Sequence, residues 1–279
     1  MKTIRTNTLQ KIADVVIDFN SEYYAHLGII NLQEYGLIIN TQEWPEYVRI
    51  FIKTDLLQDQ LPFLKSLRNK FHLMTGSSDL CPNTIPGLVS EILRNTQISS
   101  WTGNNLIEEE PMMMCIPIGL TRAEIKGGEE ILSHYIHNQN LPKIYNILMS
   151  WVDNTSPSRG LLKEIISQDS KNRIFVQKER LKYSAYVEQL KQSIYVLCPE
   201  GNGIDTHRIY ETILANSTPI VLRSPLWKMH RDLGCIVLDK WEQLFNLPEF
   251  PGIRTSKMES ISCARWEDMI YHHQQQFNF

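Results

Sequence analysis

The chain has 279 residues, of which 42% are hydrophobic and 21% are charged, and this composition excludes a disordered or fibrous protein. Its 28 Lys and Arg residues are outnumbered by 31 Asp and Glu residues, which gives a formal net charge of −3. Nucleic-acid binding usually needs a basic excess, so the charge argues against nucleic acid as the main ligand. An anionic ligand must instead be bound by a local cluster of cations.

The cysteines and the apolar runs indicate a reducing, aqueous environment. The five cysteines are odd in number, far apart and without a Cys-x-x-Cys pair, which argues against a disulfide framework or a zinc ribbon. The first residues lack the apolar core of a signal peptide, and no run approaches the roughly 18 apolar residues needed to cross a bilayer. We therefore expect a soluble, cytoplasmic protein that does not insert into membranes.

Short apolar runs alternate with amphipathic stretches along the chain, which is typical of an α/β protein with parallel sheets. In residues 1–140, which we predict to form an N-terminal domain, the predicted strands are 35–40, 47–52, 71–75 and 111–120. The predicted helices of this domain are 86–95 and 124–138.

A second α/β domain is predicted at residues 141–263. Its predicted strands are 144–151, 173–177, 194–198, 219–222 and 235–238. Its predicted helices are 161–168 and 183–192, and residues 153–159 are predicted as a polar turn before the first of them. The tail, residues 264–279, is predicted as one amphipathic helix.

Residues 194–222 carry the most information, because they combine a strand, a glycine-containing loop, a helix and a second strand. Asp205 or Thr206 is predicted to cap the helix. The side chains of His207, Arg208 and Glu211 are predicted on the face opposite the apolar one. A helix N-terminus beside glycines and a cation binds anions, so this segment is a candidate diphosphate site, with Glu211 available to a ribose.

Two other interpretations of this segment stay open. The glycines can simply permit a tight connection, with Arg208 and Glu211 forming a surface ion pair worth less than about 1 kcal/mol. A dinucleotide site is the weaker alternative, because Gly201-x-Gly203-x-x-Thr206 lacks the third glycine and the following strand ends in Arg223 instead of an acid.

The run CPEGNGIDTHRIYETILANSTPIVL, residues 198–222, resembles the donor-binding motif of exostosin-like glycosyltransferases and their relatives encoded by large DNA viruses. Further blocks are similar in family order, namely FHLMTGSSD (71–79), SWTGNN (100–105), IPIGL (116–120) and SWVDNTSPSR (150–159). The resemblance covers about residues 71–238, most of the chain. It implies an α/β protein of the GT-B fold, in which two Rossmann-like domains face a central cleft.

The resemblance also implies inverting transfer of a sugar from a UDP-sugar to a glycan. Residues 1–140 would bind the acceptor, with the helix 264–279 packing back on them, and residues 141–263 would bind the donor. UDP-xylose is the first donor expectation, and a fucose-containing glycan is the first acceptor expectation. The alternatives are UDP-galactose, UDP-glucuronic acid or a GDP-sugar as donor, or a non-catalytic protein that binds a nucleotide or a glycan.

Inverting transfer needs a base for the acceptor hydroxyl and stabilisation of the departing diphosphate. We expect Asp79 as the base, because its loop follows a strand of the N-terminal domain; His72 and Glu34 are reserves. The alternative for Asp79 is that it only caps a turn. Trp101 is the preferred candidate for stacking on a sugar ring.

We expect the diphosphate to be bound without a metal ion, because the chain contains no Asp-x-Asp sequence. Arg208 and Arg159 would supply the positive charge, and His207 could contact a phosphate. The loop of Gly201, Asn202 and Gly203 would supply backbone amides. No cofactor is expected besides the sugar nucleotide itself.

Overall fold

The structure is a computed structural model, and it describes residues 8–18, 47–120, 141–150, 155–247 and 258–277. These residues divide into two compact units. The N-terminal unit contains residues 8–18, 47–118 and 263–277, and the C-terminal unit contains the other described residues from Gly119 to Ser262. The predicted strand at 35–40 and the predicted helix at 124–138 lie outside the described residues.

The N-terminal unit is built on a parallel sheet whose five strands lie side by side in chain order. They are β1 (Val15–Ile17), β2 (Val48–Lys53), β3 (Phe71–Gly76), β4 (Ile98–Gly103) and β5 (Met113–Cys115). Its first helices are α1 (Thr8–Ile12), α2 (Leu61–Ser66) and α3 (Leu88–Asn95), with 3₁₀ turns at Thr54–Leu56 and Pro82–Thr84. The central strand β3 is buried along its whole length, as expected for a parallel sheet covered on both faces.

The C-terminal unit is built on a second parallel sheet of five strands. In chain order they are β6 (Tyr145–Met149), β7 (Ile174–Val176), β8 (Ser193–Leu197), β9 (Thr218–Leu222) and β10 (Ile236–Leu238). The helices are α4 (Pro157–Ile166), α5 (Tyr183–Lys191), α6 (His207–Leu214) and α7 (Trp227–Asp232), with 3₁₀ turns at Trp241–Asn246 and Met258–Ile261. The two parallel sheets with their helices confirm the α/β prediction.

The order of the strands in the second sheet reverses at one point. The spatial order is β10–β9–β8–β6–β7, so the chain leaves β6 first towards β7 and then crosses to β8 on the other side. In doubly wound sheets of this kind, ligands bind beyond the carboxyl ends of the strands where the order reverses. In this unit that point lies beyond Met149 and Leu197, and it is followed along the chain by Ser150 and by residues 198–206.

The last helix, α8 (Cys263–Gln275), belongs to the N-terminal unit. It buries Trp266 and Ile270, and Nε2 of His273 donates a hydrogen bond to the carbonyl oxygen of Met112 (3.0 Å). No described helix has the length and apolar character needed to span a membrane. All five cysteines are free thiols, and four of them are buried.

Several predicted elements begin or end elsewhere in the structure. α4 begins at Pro157, not at 161, because Ser156 caps it through the Ser158 amide (3.3 Å) and proline fits the first helical position. Arg159 therefore lies in the first turn of α4 and not in the predicted polar turn. The predicted strand at 111–120 is reduced to β5, and α3 begins only after Gly87, whose φ of +74° interrupts a helix.

Candidate functional site

The segment 194–222 folds as a strand, a loop, a helix and a strand, as predicted, and its loop lies at the reversal of the strand order. Thr206 occupies the N-cap position of α6, but its side chain makes no capping hydrogen bond to the described residues. The predicted capping by Asp205 or Thr206 is therefore wrong: the carboxylate of Asp205 accepts from the Thr206 amide (3.0 Å), one residue outside the helix. Among the first amides of α6, that of Ile209 donates to the carbonyl oxygen of Thr206 (3.1 Å).

Arg159 reaches the glycine loop from α4. Its Nε donates to the carbonyl oxygen of Glu200 (2.9 Å), and the Gly201 amide donates to the Gly203 carbonyl oxygen (3.1 Å), which closes the loop. A Cβ atom on residue 201 would lie 3.1 Å from Nη2 of Arg159. A side chain at 201 would therefore require the Arg159 guanidinium to shift by a few tenths of an ångström. Asn202, the next residue of the loop, is exposed.

His207 starts α6 and is held by a residue distant in sequence. Its Nδ1 donates to the carbonyl oxygen of Gly119 (2.7 Å), and Gly119 has a left-handed φ of +69°. The donor must be Nδ1–H, because a carbonyl oxygen only accepts. The segment that resembled a family block, IPIGL, therefore sets the orientation of a predicted donor-binding side chain.

Arg208 links α6 to the end of β6. Its Nη1 donates to the hydroxyl of Ser150, the residue that directly follows β6. Its guanidinium carbon lies 5.7 Å from the centroid of the Tyr186 ring, within the range of a cation–π contact. A fixed cation thus lies where the strand order reverses.

Glu211 is buried, with 5% of its surface exposed, and its predicted outward orientation is wrong. α5 covers this side of α6: the hydroxyls of Tyr183 and Tyr186 donate to Oε1 (3.2 Å) and Oε2 (2.9 Å) of Glu211. The interpretation of Arg208 and Glu211 as a surface ion pair fails for the same reason. Burial and the neighbouring Glu211 charge raise the pKa of Tyr186 well above its ordinary value, so this phenol remains a donor at neutral pH.

A second buried cluster, formed by Asp205, Tyr210 and His230, holds the end of the loop. Asp205 is 1% exposed, and its Oδ2 accepts from the Tyr210 hydroxyl of α6. Nε2 of His230, from α7, lies 3.4 Å from Asp205 Oδ1, and its Nδ1 has no partner among the described residues. Burial also raises the pKa of the Glu200 carboxyl in the same loop.

The candidate bases in the N-terminal unit differ in their exposure. Asp79 is exposed in the loop after β3, where the hydroxyl of Ser78 donates to Asp55 (2.9 Å) and accepts from the Leu80 amide (3.0 Å). His72 is wrong as a reserve base, because it is 2% exposed and its Nδ1 lies 2.8 Å from the buried Ser100 hydroxyl. Glu34 lies outside the described residues.

Trp101 does not stack on a sugar. Its ring is fully buried in the core of the N-terminal unit, and its Nε1 donates to the hydroxyl of Thr75 (2.9 Å). The prediction failed because Trp101 lies within β4, where a tryptophan side chain can pack into the core.

Sequence reasoning missed the residues that orient the site, namely Gly119, Ser150, Tyr183, Tyr186 and His230. Tyr183 and Tyr186 are three residues apart and therefore share one face of a helix, which the sequence does reveal. Nothing in the sequence indicates that this face packs on Glu211.

Within the described parts of the chain, no three His, Cys, Asp or Glu side chains are grouped so that they could hold a metal ion. Comparison of the chain with models of protein families gives no match, and comparison with curated proteins gives no similar sequence.

Proposed function

We propose that the chain is an inverting glycosyltransferase of the GT-B class, which transfers a sugar from a UDP-sugar to a glycan acceptor. UDP-xylose is the first donor and a fucose-containing glycan the first acceptor to be tested. The observation that carries the proposal is the position of Arg208, which lies at the reversal of the strand order between Ser150 and Tyr186. Arg159 contacts the glycine loop through the Glu200 carbonyl oxygen, and His207 is the first residue of the helix that carries Arg208.

Each of these side chains has a role in binding the donor. Arg208 and Arg159 would bind the diphosphate beside the loop 201–203, and a charge-assisted contact of this kind contributes about 1.5–3 kcal/mol. The Gly201 amide, expected to bind the diphosphate, instead donates to the Gly203 carbonyl oxygen. His207 would donate a hydrogen bond from a protonated Nε2 to a phosphate oxygen. Glu211, whose carboxylate is already oriented by two phenols, would accept hydrogen bonds from the ribose.

The reaction is a single displacement at the anomeric carbon. The acceptor oxygen forms a bond to that carbon while the bond to the diphosphate oxygen breaks, and the acceptor proton passes to the base. We propose Asp79 as this base, since its carboxylate is exposed and accessible to an acceptor hydroxyl. The charge that develops on the departing UDP is stabilised by the arginines, so the proposal includes activity without an added metal ion.

The test is a transfer assay on the full chain in EDTA with UDP-xylose and fucose-containing oligosaccharides, with the anomeric configuration of the product read by NMR. Asp79→Asn should lower kcat by at least about 100-fold with unchanged affinity for UDP, because a general base contributes about 10²–10⁴. Asp59→Asn changes another exposed acid of the same unit and should leave kcat unchanged. Near-normal turnover of Asp79→Asn would refute the base assignment, and activity that requires Mn²⁺ would refute metal independence.

A further inference from the structure

One side chain of α5, that of Tyr186, contacts two of the residues assigned above to the donor. Its hydroxyl donates to Oε2 of Glu211 (2.9 Å), and its ring lies 5.7 Å from the guanidinium carbon of Arg208. Glu211 and Arg208 are three residues apart on α6 and therefore share one of its faces. Tyr186 packs against that face.

Arg208 and Glu211 each have a further partner besides Tyr186. Arg208 also donates to the Ser150 hydroxyl, and Glu211 also accepts from the hydroxyl of Tyr183 (3.2 Å). Each donor-binding side chain is thus held from two sides, and Tyr186 is common to both. A carboxylate and a guanidinium have many rotamers when unsupported, and fixing them before the ligand arrives reduces the entropy lost on binding.

We propose that Tyr186 is a positioning residue for the sugar-nucleotide donor: its hydroxyl orients Glu211 towards the ribose hydroxyls, and its ring orients Arg208 towards the diphosphate. This inference rests on the proposed function and assigns a role to a residue outside the family-like motif. The two contacts are separable by chemistry, because phenylalanine keeps the ring and removes the hydroxyl.

The protonation state of Tyr186 is compatible with this role. Burial and the charge of Glu211 raise the pKa of Tyr186, while the nearby Arg208 lowers it, and the net change is upward. The phenol therefore donates to Glu211 throughout the neutral range, and the orientation of the carboxylate does not depend on pH there.

The test is calorimetric titration of the full chain with UDP and with 2′,3′-dideoxyuridine diphosphate, which lacks the ribose hydroxyls. Tyr186→Phe should raise the Kd for UDP about tenfold, the loss expected for one hydrogen bond to a charged group. The Kd of this variant for the dideoxy analogue should change by less than about twofold, since phenylalanine keeps the aromatic ring that contacts Arg208. Tyr186→Leu, which also removes the ring, should weaken the binding of both ligands.

Two further variants separate positioning from a general loss of structure. Tyr145→Phe is the matched control, because Tyr145 is a half-buried tyrosine of the same unit whose ring stacks on Phe175 (4.3 Å between centroids). It should leave both Kd values unchanged. In a Glu211→Gln background, Tyr186→Phe should no longer change the Kd for UDP, because the group through which it acts has been altered.

The outcomes distinguish this inference from the proposed function. If the wild-type chain binds UDP but Tyr186→Phe weakens both ligands equally or neither, Tyr186 does not position Glu211 and the inference is wrong. The same holds if the effect of Tyr186→Phe persists unchanged in Glu211→Gln. If the wild-type chain binds neither ligand, the proposed donor class fails and the inference fails with it. Tyr183→Phe removes the other, longer hydrogen bond to Glu211. It should also raise the Kd for UDP more than the Kd for the dideoxy analogue, by a smaller factor than Tyr186→Phe.

Discussion

Nδ1 of His207 and the carbonyl oxygen of Gly119 are joined by a hydrogen bond of 2.7 Å, although 88 positions separate the two residues. The bond ties the start of α6 to Gly119 and requires a proton on Nδ1 of the imidazole. It explains why a histidine at the first position of a helix is oriented rather than solvated.

His207→Asn should preserve this bond, because the asparagine amide nitrogen occupies nearly the place of Nδ1, whereas His207→Ala removes it. We expect His207→Ala to lower the free energy of unfolding by about 0.5–1.5 kcal/mol and His207→Asn to lower it less. Urea denaturation of the two variants checks this. Equal losses in both would show that the bond to Gly119 does not contribute.

Gly201→Ala should weaken UDP binding without unfolding the protein. The added Cβ would lie 3.1 Å from Nη2 of Arg159, so the guanidinium must shift by a few tenths of an ångström from the position in which it contacts the loop. Gly160→Ala is the control beside the same arginine: its Cβ would meet nothing within 4 Å, and alanine in a helix is more stable than glycine by about 0.5–1 kcal/mol. Calorimetry with UDP should show a higher Kd for Gly201→Ala alone; equal Kd values would contradict the role given to Arg159.

Asp205→Asn should destabilise the C-terminal unit. The carboxylate accepts from the Tyr210 hydroxyl and the Thr206 amide in a site that is almost fully buried, and an amide NH₂ group there would face a donor. We expect a loss of about 1–3 kcal/mol in the free energy of unfolding. The same change at Asp239, which pairs with Arg223 on the surface, should cost less than about 1 kcal/mol. A loss at Asp205 no larger than that at Asp239 would show that the cluster does not anchor the loop.

Lys143 should make the free energy of unfolding depend on pH in alkaline solution. Burial lowers the pKa of Lys143 to about 8, while its ammonium group donates to the Asn216 carbonyl oxygen (2.7 Å) and the Ser217 hydroxyl (2.9 Å). Between pH 8 and the ordinary lysine value of about 10.5, the unfolded chain binds more protons than the folded one, so this term favours folding increasingly as pH rises. The penalty for burying the charge is fully present below pH 8.

The difference in unfolding free energy between wild type and Lys143→Met isolates this term from other groups that titrate in the same range. Wild type should gain stability relative to the variant from pH 8 to pH 10. A difference that stays constant, or that moves the other way, would contradict the lowered pKa.

The local parts of the fold follow from the sequence, and the long-range contacts do not. The alternation of short apolar runs predicts β3, β8 and β9 close to their observed bounds, and a helix between the last two. The start of α4 was predicted four residues too late, although Ser156 followed by Pro157 is a helix start signal in the sequence. β4 has no predicted counterpart because its sequence, ISSWTG, is too polar for the pattern of a buried strand.

The candidate site was predicted in its residue types but not in its packing. Gly201 and Arg208 are predicted from the glycine loop and the helix N-terminus, and Arg159 from a polar turn in a family-like block. All three belong to one region of the C-terminal unit. Glu211 was expected to face outward because the periodicity of α6 alone gives it a polar side. α5 packs on this side of α6 and buries Glu211. Neither helix has a sequence pattern that predicts this contact.

The measurement that tests the central proposal most directly is calorimetric titration of the full chain with UDP, GDP and NAD in the presence of EDTA. The proposed function predicts binding of UDP in preference to GDP and NAD, and a Kd for UDP raised at least about tenfold by Arg208→Ala. Binding of GDP or NAD instead of UDP, or UDP binding unchanged in Arg208→Ala, would contradict the assignment of residues 198–211 to a UDP-sugar donor.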